Sequence, residues 1–217
     1  MEVGVCSVCN PKRKSPEKAG PVKRRRFIVG VSGSSGPHLA WSTLQALRGH
    51  PEVETHLVLS KGADLTIHLE MGKKRSDFEA LADVCYDPND FGAAISSGSF
   101  QTIGMVVVPC SMKCLATMAT GACNDLLTRA ADVCLKERRR LVVVPRETPF
   151  NLIHIRNMET LTLAGATILP PAPAFYHQPK TIEDLLNQTV GKILDQFEIS
   201  HELYRRWEGR EGHAKTS

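Results

Sequence analysis

The chain of 217 residues contains no run of 18 uninterrupted apolar side chains, which argues against a membrane-crossing helix. No segment repeats with a period of about 20–50 residues, so solenoids and propellers are set aside. The seven cysteines, at positions 6, 9, 85, 110, 114, 123 and 134, form an odd set. Five of them sit in segments that read as helix, strand or core. Buried thiols in a reducing compartment are therefore expected, not a disulfide framework. Cys6-x-x-Cys9 has zinc-knuckle spacing, but no second pair follows it. Cys110-x-x-x-Cys114 reads as packing or backbone shaping. Three chemical signatures are also missing. The stretch "GVSGSSGPH" carries glycines at 30, 33 and 36, which is not the G-x-G-x-x-G of a dinucleotide turn. It has no Gly-Lys-Ser/Thr of a P-loop, and no serine at the centre of G-x-S-x-G.

What is present is one domain's worth of core, with 42% hydrophobic and 23% charged residues. The net charge of +4 is unevenly placed. Residues 1–26 hold eight Lys/Arg against Glu2 and Glu17, a local +6, so the remaining 191 residues carry 19 basic and 21 acidic side chains, or −2. Residues 1–25 also hold Pro11, Pro16, Gly20 and Pro21 without amphipathic period, and read as a disordered basic extension. Its "KRRR" run fits a solvated flank, a nucleic-acid contact or a targeting address. A mitochondrial presequence is Arg-rich, poor in acids and amphipathic, and the extension meets the first condition better than the other two.

Beyond it, apolar runs alternate with helical patterns. Strands are expected at 26–32, 55–59, 103–109, 141–145 and 166–169, and helices at 37–47, 63–71, 124–137, 151–164 and 182–197, with a helical tail over 198–207. Continuous Val/Ile/Leu strands between helices specify a parallel sheet covered on both faces. Ligands of such sheets sit beyond the carboxyl ends of the strands. Four polar stretches fall there: "SGSSGP", Ser60-Lys61-Gly62, "PCSMKC" and "PRETPF". The first is either a plain turn, with Ser35 as helix cap and Pro37 in the first turn, or a set of amides and hydroxyls offered to an anion. Four such stretches on one rim point to an anionic, planar ligand. The run Lys136–Arg140 ends a helix, where the dipole favours cations. "PPAPAFYH" reads as an apolar wall with the phenol of Tyr176 at its edge.

These motifs resemble the UbiX-type flavin prenyltransferases, which include the fungal phenylacrylic acid decarboxylase-like proteins. The resemblance covers residues 26–208 and is carried by "GVSGSSG", "THLVLSK", "SSGSFQTIGMVVVPCSMK", "NDLLTRAADVCLKERRRLVVVPRETPF" and "PPAPAFYHQP". It implies a flavodoxin-like three-layer α/β/α sandwich with a parallel sheet, assembled as a homododecamer, and leaves 209–217 as a disordered tail. It implies metal-independent transfer of a dimethylallyl group from dimethylallyl monophosphate to reduced FMN, which yields prenylated FMN for a UbiD-type decarboxylase. Neither nucleic acid nor membrane is an implied partner, and the compartment expected from the family and the basic extension is mitochondrial, with cytoplasmic as the alternative. Carried over residue by residue, Gly33, Ser34, Ser35, Ser60, Ser111, Met112, Lys113, Cys114 and Arg146 contact the flavin, with Ser35 beside its reacting edge. Arg129, Lys136, Tyr176 and Lys192 hold the substrate phosphate, some of them from a neighbouring subunit. Glu147 stands by the leaving phosphate, and Glu70 assists proton removal. Lys192 aligns where some bacterial members have arginine, keeping the charge and losing the bidentate fork. The alternatives are a non-catalytic flavin carrier, a related flavin-dependent decarboxylase of phosphopantothenoylcysteine, and direct decarboxylation of cinnamic-type acids.

Overall fold

The computed structural model describes residues 24–209. The expected disorder of the extension and of the tail falls outside these residues, except at the boundaries. The first strand, β1, spans Arg25–Val31, so Arg24 and Arg25, the last residues of the expected extension, belong to the domain. Arg24 bridges Asp83 at 2.9 Å, and the Arg25 amide donates to the Glu52 carbonyl at 2.7 Å.

The elements follow as α1 (Pro37–Leu47), β2 (Val53–Leu59), α2 (Lys61–Met71), α3 (Arg75–Glu79), β3 (Val84–Tyr86), a 3-10 turn (Ala94–Ser96), β4 (Gly104–Cys110), α4 (Met112–Ala119), α5 (Leu126–Lys136), β5 (Arg140–Pro145), α6 (Leu152–Leu163), β6 (Thr167–Ile168) and α7 (Ile182–Gln196). The six strands lie in the order β3-β2-β1-β4-β5-β6, all paired in parallel. The order reverses between β1 and β4, and the carboxyl end of that junction is the place such sheets reserve for a ligand.

Strand alternation splits the core in two. Phe27, Val29, Val31, Val106, Val108, Val142 and Val144 face one way, against Leu39, Leu44 and Leu47 of α1, Ile67 of α2 and Ile193 and Leu194 of α7. Ile28, Met105, Val107, Leu141 and Val143 face the other, against Leu115 of α4, Leu126, Leu127 and Ala130 of α5 and Leu161 of α6. This is the expected three-layer sandwich. Both faces are covered, so every residue of β4 is buried, which is why the strand reads as one unbroken apolar run.

The short elements depart from the expectation. The 3-residue β3, the helices α3 and α4 and the 3-10 turn were not foreseen, and no helix forms over 198–207. Glu198 has φ 55, a left-handed backbone that ends α7. The chain then turns so that three side chains meet one carboxylate. Tyr204 Oη donates to Asp195 Oδ2 at 2.7 Å, Arg206 Nη2 donates to Oδ1 at 2.7 Å, and His201 Nε2 lies 3.0 Å from Oδ1. Burial acts to raise the Asp195 carboxyl, but the bonds from Arg206, Tyr204 and His201 outweigh it and hold the group well below the usual carboxylate range. Burial, together with the bond to Asp195, pushes the Tyr204 phenol up to about 12. A carboxyl depressed by folding stabilises the fold at pH values above its unfolded pKa, and that contribution fades as the pH falls below about 4. Asp195→Asn is expected to cost about 2 kcal/mol at neutral pH and to flatten the acid limb of stability below about pH 4. Urea titrations at pH 7 and pH 3 measure both, and an unchanged acid limb would mean the clasp adds nothing.

Candidate active site

Of the helices that begin at the carboxyl rim, α2, α4 and α5 border one site. α2 starts after Ser60 and α4 after Ser111, whose Oγ accepts from the Cys114 amide at 3.2 Å. α5 starts after Asp125, which forms a capping box with Thr128. Between them lies a cleft of ≈ 360 Å³ lined by Ser32, Gly33, Ser60, Lys61, Gly62, Pro88, Asn89, Ser111, Lys113, Cys114, Thr117, Asn124, Asp125 and Thr128. Five of the expected flavin contacts, Gly33, Ser60, Ser111, Lys113 and Cys114, are in this lining.

The other flavin contacts frame it. Ser34 is buried, and its Oγ donates to the Arg146 carbonyl at 2.9 Å. The Arg146 amide donates to the Cys110 carbonyl at 3.1 Å. These two bonds tie the turns after β1, β4 and β5 into one frame, while the Arg146 side chain stays exposed. A deeper tie runs through Ser32, whose Oγ donates to the Pro109 carbonyl at 2.9 Å and accepts from the Ser111 amide at 2.7 Å. Met112 is half-buried and packs on the second core cluster. Ser35 is half-buried and does not cap α1; that position is Gly36, with φ 86 and no side-chain bond. The Gly36 amide donates to Glu70 Oε2 at 2.8 Å, so Glu70 from the far end of α2 stands beside the turn that holds Ser35. Cys110 and Cys114 are both buried, and burial, with the contact to Cys114, pushes the Cys110 thiol well above its usual range. That agrees with a packing role.

The cleft was only half legible. Asn89, Asn124, Asp125 and Thr128 come from segments between strands and were not among the expected contacts. One signal marks the last two: Asp125-Leu-Leu-Thr128 stands just before an apolar helical period, as a helix start does.

Four expected phosphate ligands are not in the lining of their own chain's cleft. Arg129 donates from Nε to the Ser96 carbonyl at 3.2 Å and from Nη1 to Asp132 at 2.7 Å. Lys136 ends α5 at the opposite, amino-terminal edge of the sheet and pairs with Glu137. Tyr176 is exposed, with its ring edge-on to Trp207 at 6.1 Å. Lys192 is exposed on α7. Glu147 is also exposed, its Oε1 accepting from the Thr148 amide at 2.9 Å, so its own chain does not supply the burial expected around an acid that must hold a proton.

The rim fits a flavin. Gly33 and Gly62 bring two loops into backbone contact; an ideal Cβ at Gly33 would stand 2.7 Å from the Gly62 carbonyl. The result is a narrow slot edged by hydroxyls, two lysines and helix amides, suited to a planar ring bearing a phosphate. Among the described residues no His/Cys/Asp/Glu group could hold a metal ion.

Fold and cleft together define a flavin-binding α/β protein of the flavodoxin-like type. The Flavoprotein family matches residues 15–205. The chain is 53% identical over 184 residues, 85% of its length and 97% of the relative's, to a "Probable UbiX-like flavin prenyltransferase" of Sedimentibacter hydroxybenzoicus. It superposes on AnUbiX (PadA1), solved in complex with FMN and dimethylallyl pyrophosphate, with TM-score 0.84 and 51% identity, covering 87% of this chain and 100% of that one. A dodecameric FMN-dependent Ubix-like decarboxylase from Escherichia coli O157:H7 gives TM-score 0.83 and 50% identity, over 85% of this chain and 100% of that one. The chain belongs to the UbiX-like flavin prenyltransferase family.

Proposed function

We propose that this chain joins the dimethylallyl group of dimethylallyl monophosphate to reduced FMN, and that a UbiD-type decarboxylase uses the product. The observation that carries the reading is the slot at the β1/β4 switch point, where Gly33, Ser60, Ser111, Lys113 and Cys114 line one cleft. Reduced flavin supplies the electron-rich ring atoms that take up the allylic carbon. The chain's own residues do the rest. The seryl hydroxyls and the first-turn amides of α2 and α4 hold and orient the flavin. Arg129, Lys136, Tyr176 and Lys192 act on the prenyl phosphate from a neighbouring copy, since none of them lines the cleft of its own chain. A monophosphate leaves an allylic carbon poorly, so cations must neutralise it and an acid must protonate it. Glu147 is that acid, buried once a neighbour covers it. Glu70 accepts the proton released when the second bond to the flavin closes. The assembly is a dodecamer, and the basic residues ahead of Arg24 serve as a mitochondrial address.

A non-catalytic flavin carrier has no use for cations on the prenyl phosphate, and one measurement separates the two readings. The purified protein is incubated anaerobically with reduced FMN and either dimethylallyl monophosphate or the pyrophosphate, then analysed by mass spectrometry. Flavin heavier by one prenyl unit is expected with the monophosphate. Flavin of unchanged mass with both donors would leave only the carrier. Cinnamic-type acids offered to the protein alone are expected to give no carbon dioxide. A fusion of residues 1–26 to a fluorescent protein tests the address, and diffuse cytoplasmic signal would remove it.

A further inference from the structure

We propose that Arg75 is a positioning residue for flavin binding. Its guanidinium holds the β2–α2 turn so that the cleft meets hydrogen-bond donors and not carbonyl oxygens. This rests on the flavin reading above.

Arg75 opens α3, outside the cleft, and nothing in the flavin or phosphate chemistry calls for it. Yet its fork reaches back to the turn before α2. Nη2 donates to the Leu59 carbonyl at 3.2 Å, to the Ser60 carbonyl at 3.4 Å and to Asp64 Oδ2 at 3.0 Å. Nε stands 3.0 Å from Asp64 Oδ1, and Nη1 stands 3.9 Å from Glu79. Leu59 and Ser60 are the last residue of β2 and the cap of α2, and Ser60, Lys61 and Gly62 line the cleft.

Each bond has a direction. The Ser60 amide is spent on the Val31 carbonyl at 2.9 Å, which ties the turn to β1. The Leu59 carbonyl is drawn toward Arg75, and the Ser60 carbonyl, which accepts from the Ala63 amide at 3.1 Å as α2 begins, shares the same guanidinium nitrogen. The first-turn amides of Lys61 and Gly62 have no partner within the helix, and with the Ser60 hydroxyl they are what the turn offers a ligand. Asp64 sits in the first turn of α2, where its negative charge favours the helix but opposes an anion nearby. Arg75 neutralises that carboxylate while it fixes the carbonyls. A lysine keeps the charge but has one nitrogen, so it cannot reach the two carbonyls as Nη2 does and also stand at Asp64 Oδ1 as Nε does.

The test uses the full chain with Arg75→Gln, Arg75→Lys and Asp64→Asn. Flavin affinity is read by quenching of FMN fluorescence, cleft geometry by the visible circular dichroism of bound FMN, and turnover by the prenyl-transfer assay. Arg75→Gln is expected to weaken FMN about tenfold, alter the dichroism and raise KM for flavin about tenfold, with kcat at saturating flavin within about twofold of wild type. Arg75→Lys is expected to recover only part of the affinity. Asp64→Asn, which leaves Arg75 its carbonyl bonds, is expected to weaken binding about threefold or less. Unchanged affinity and dichroism in Arg75→Gln, with only a lower Tm, overturns the proposal, as does a fall in kcat at unchanged KM. Failure of the wild-type chain to bind FMN strikes the flavin reading itself, and the binding titration shows this before any variant is compared.

Discussion

Gly33→Val is expected to abolish flavin binding while the sheet still forms. An ideal Cβ at residue 33 stands 2.7 Å from the Gly62 carbonyl carbon, 2.7 Å from its oxygen and 2.8 Å from its Cα. All three are backbone atoms and cannot swing aside as a side chain would. Nor can the two loops part easily. β1 and β2 are paired from Arg25↔Val53 to Val31↔Leu59, and the Ser60 amide continues the ladder to Val31. Relief therefore means shifting the turn that carries Ser60, Lys61 and Gly62, which is one wall of the slot. A shift of that size costs about 1–3 kcal/mol of stability, and we expect FMN affinity to fall by about 100-fold or more, because a misplacement near 1 Å spoils several contacts together. Gly36→Ala makes the contrast. Gly36 has φ 86, but a Cβ there meets nothing within 4 Å. It should cost about 1–2 kcal/mol of backbone strain and leave FMN affinity within about threefold. Fluorescence titration with FMN and thermal unfolding of both variants check the pair. Wild-type affinity in Gly33→Val would show that the slot does not hold the flavin.

That contrast also shows where sequence reading stops. The glycines of "GVSGSSGPH" are visible as a turn, but their separate reasons are not. Gly36 is needed for its backbone angle, Gly33 for a neighbour 29 residues away. The strands were legible because burial on both faces writes them as unbroken apolar runs, as in "GMVVVPC". Val84–Tyr86 was not, because three residues between Asp83 and Asp87 carry no period. α4 was hidden for a different reason: its first turn is the ligand loop itself, so "SMKC" reads as a loop when it is a helix start capped by Ser111. The tail after α7 looked helical by composition. What decides it is tertiary, since His201, Tyr204 and Arg206 converge on one carboxylate that no local pattern announces.

Lys136→Ala alone should lower kcat by about 10–100-fold, since a phosphate cation contributes roughly 1–3 kcal/mol to the transition state. The informative result comes from mixing. α5 is 11 residues long, so Lys136 lies about 15 Å along the helix from the end that meets the cleft. A lysine side chain does not cover that distance back, so the proposed role of Lys136 requires that it serve the cleft of another chain. Gly33→Val removes the cleft of a chain but leaves its Lys136 in place; Lys136→Ala does the reverse. Chains of the two kinds, unfolded together and reassembled in equal amounts, form some sites with an intact cleft from one chain and an intact lysine from its neighbour. Random placement makes that combination about one site in four, so activity should return to about a quarter of wild type, about 2.5- to 25-fold above the Lys136→Ala parent. Gly33→Ala takes the place of the valine variant if size-exclusion chromatography shows that the latter does not assemble. Mixed assemblies no more active than the average of the parents would confine each site to one chain. Lys136, held by Glu137 at the far edge of the sheet, would then have no part in the chemistry.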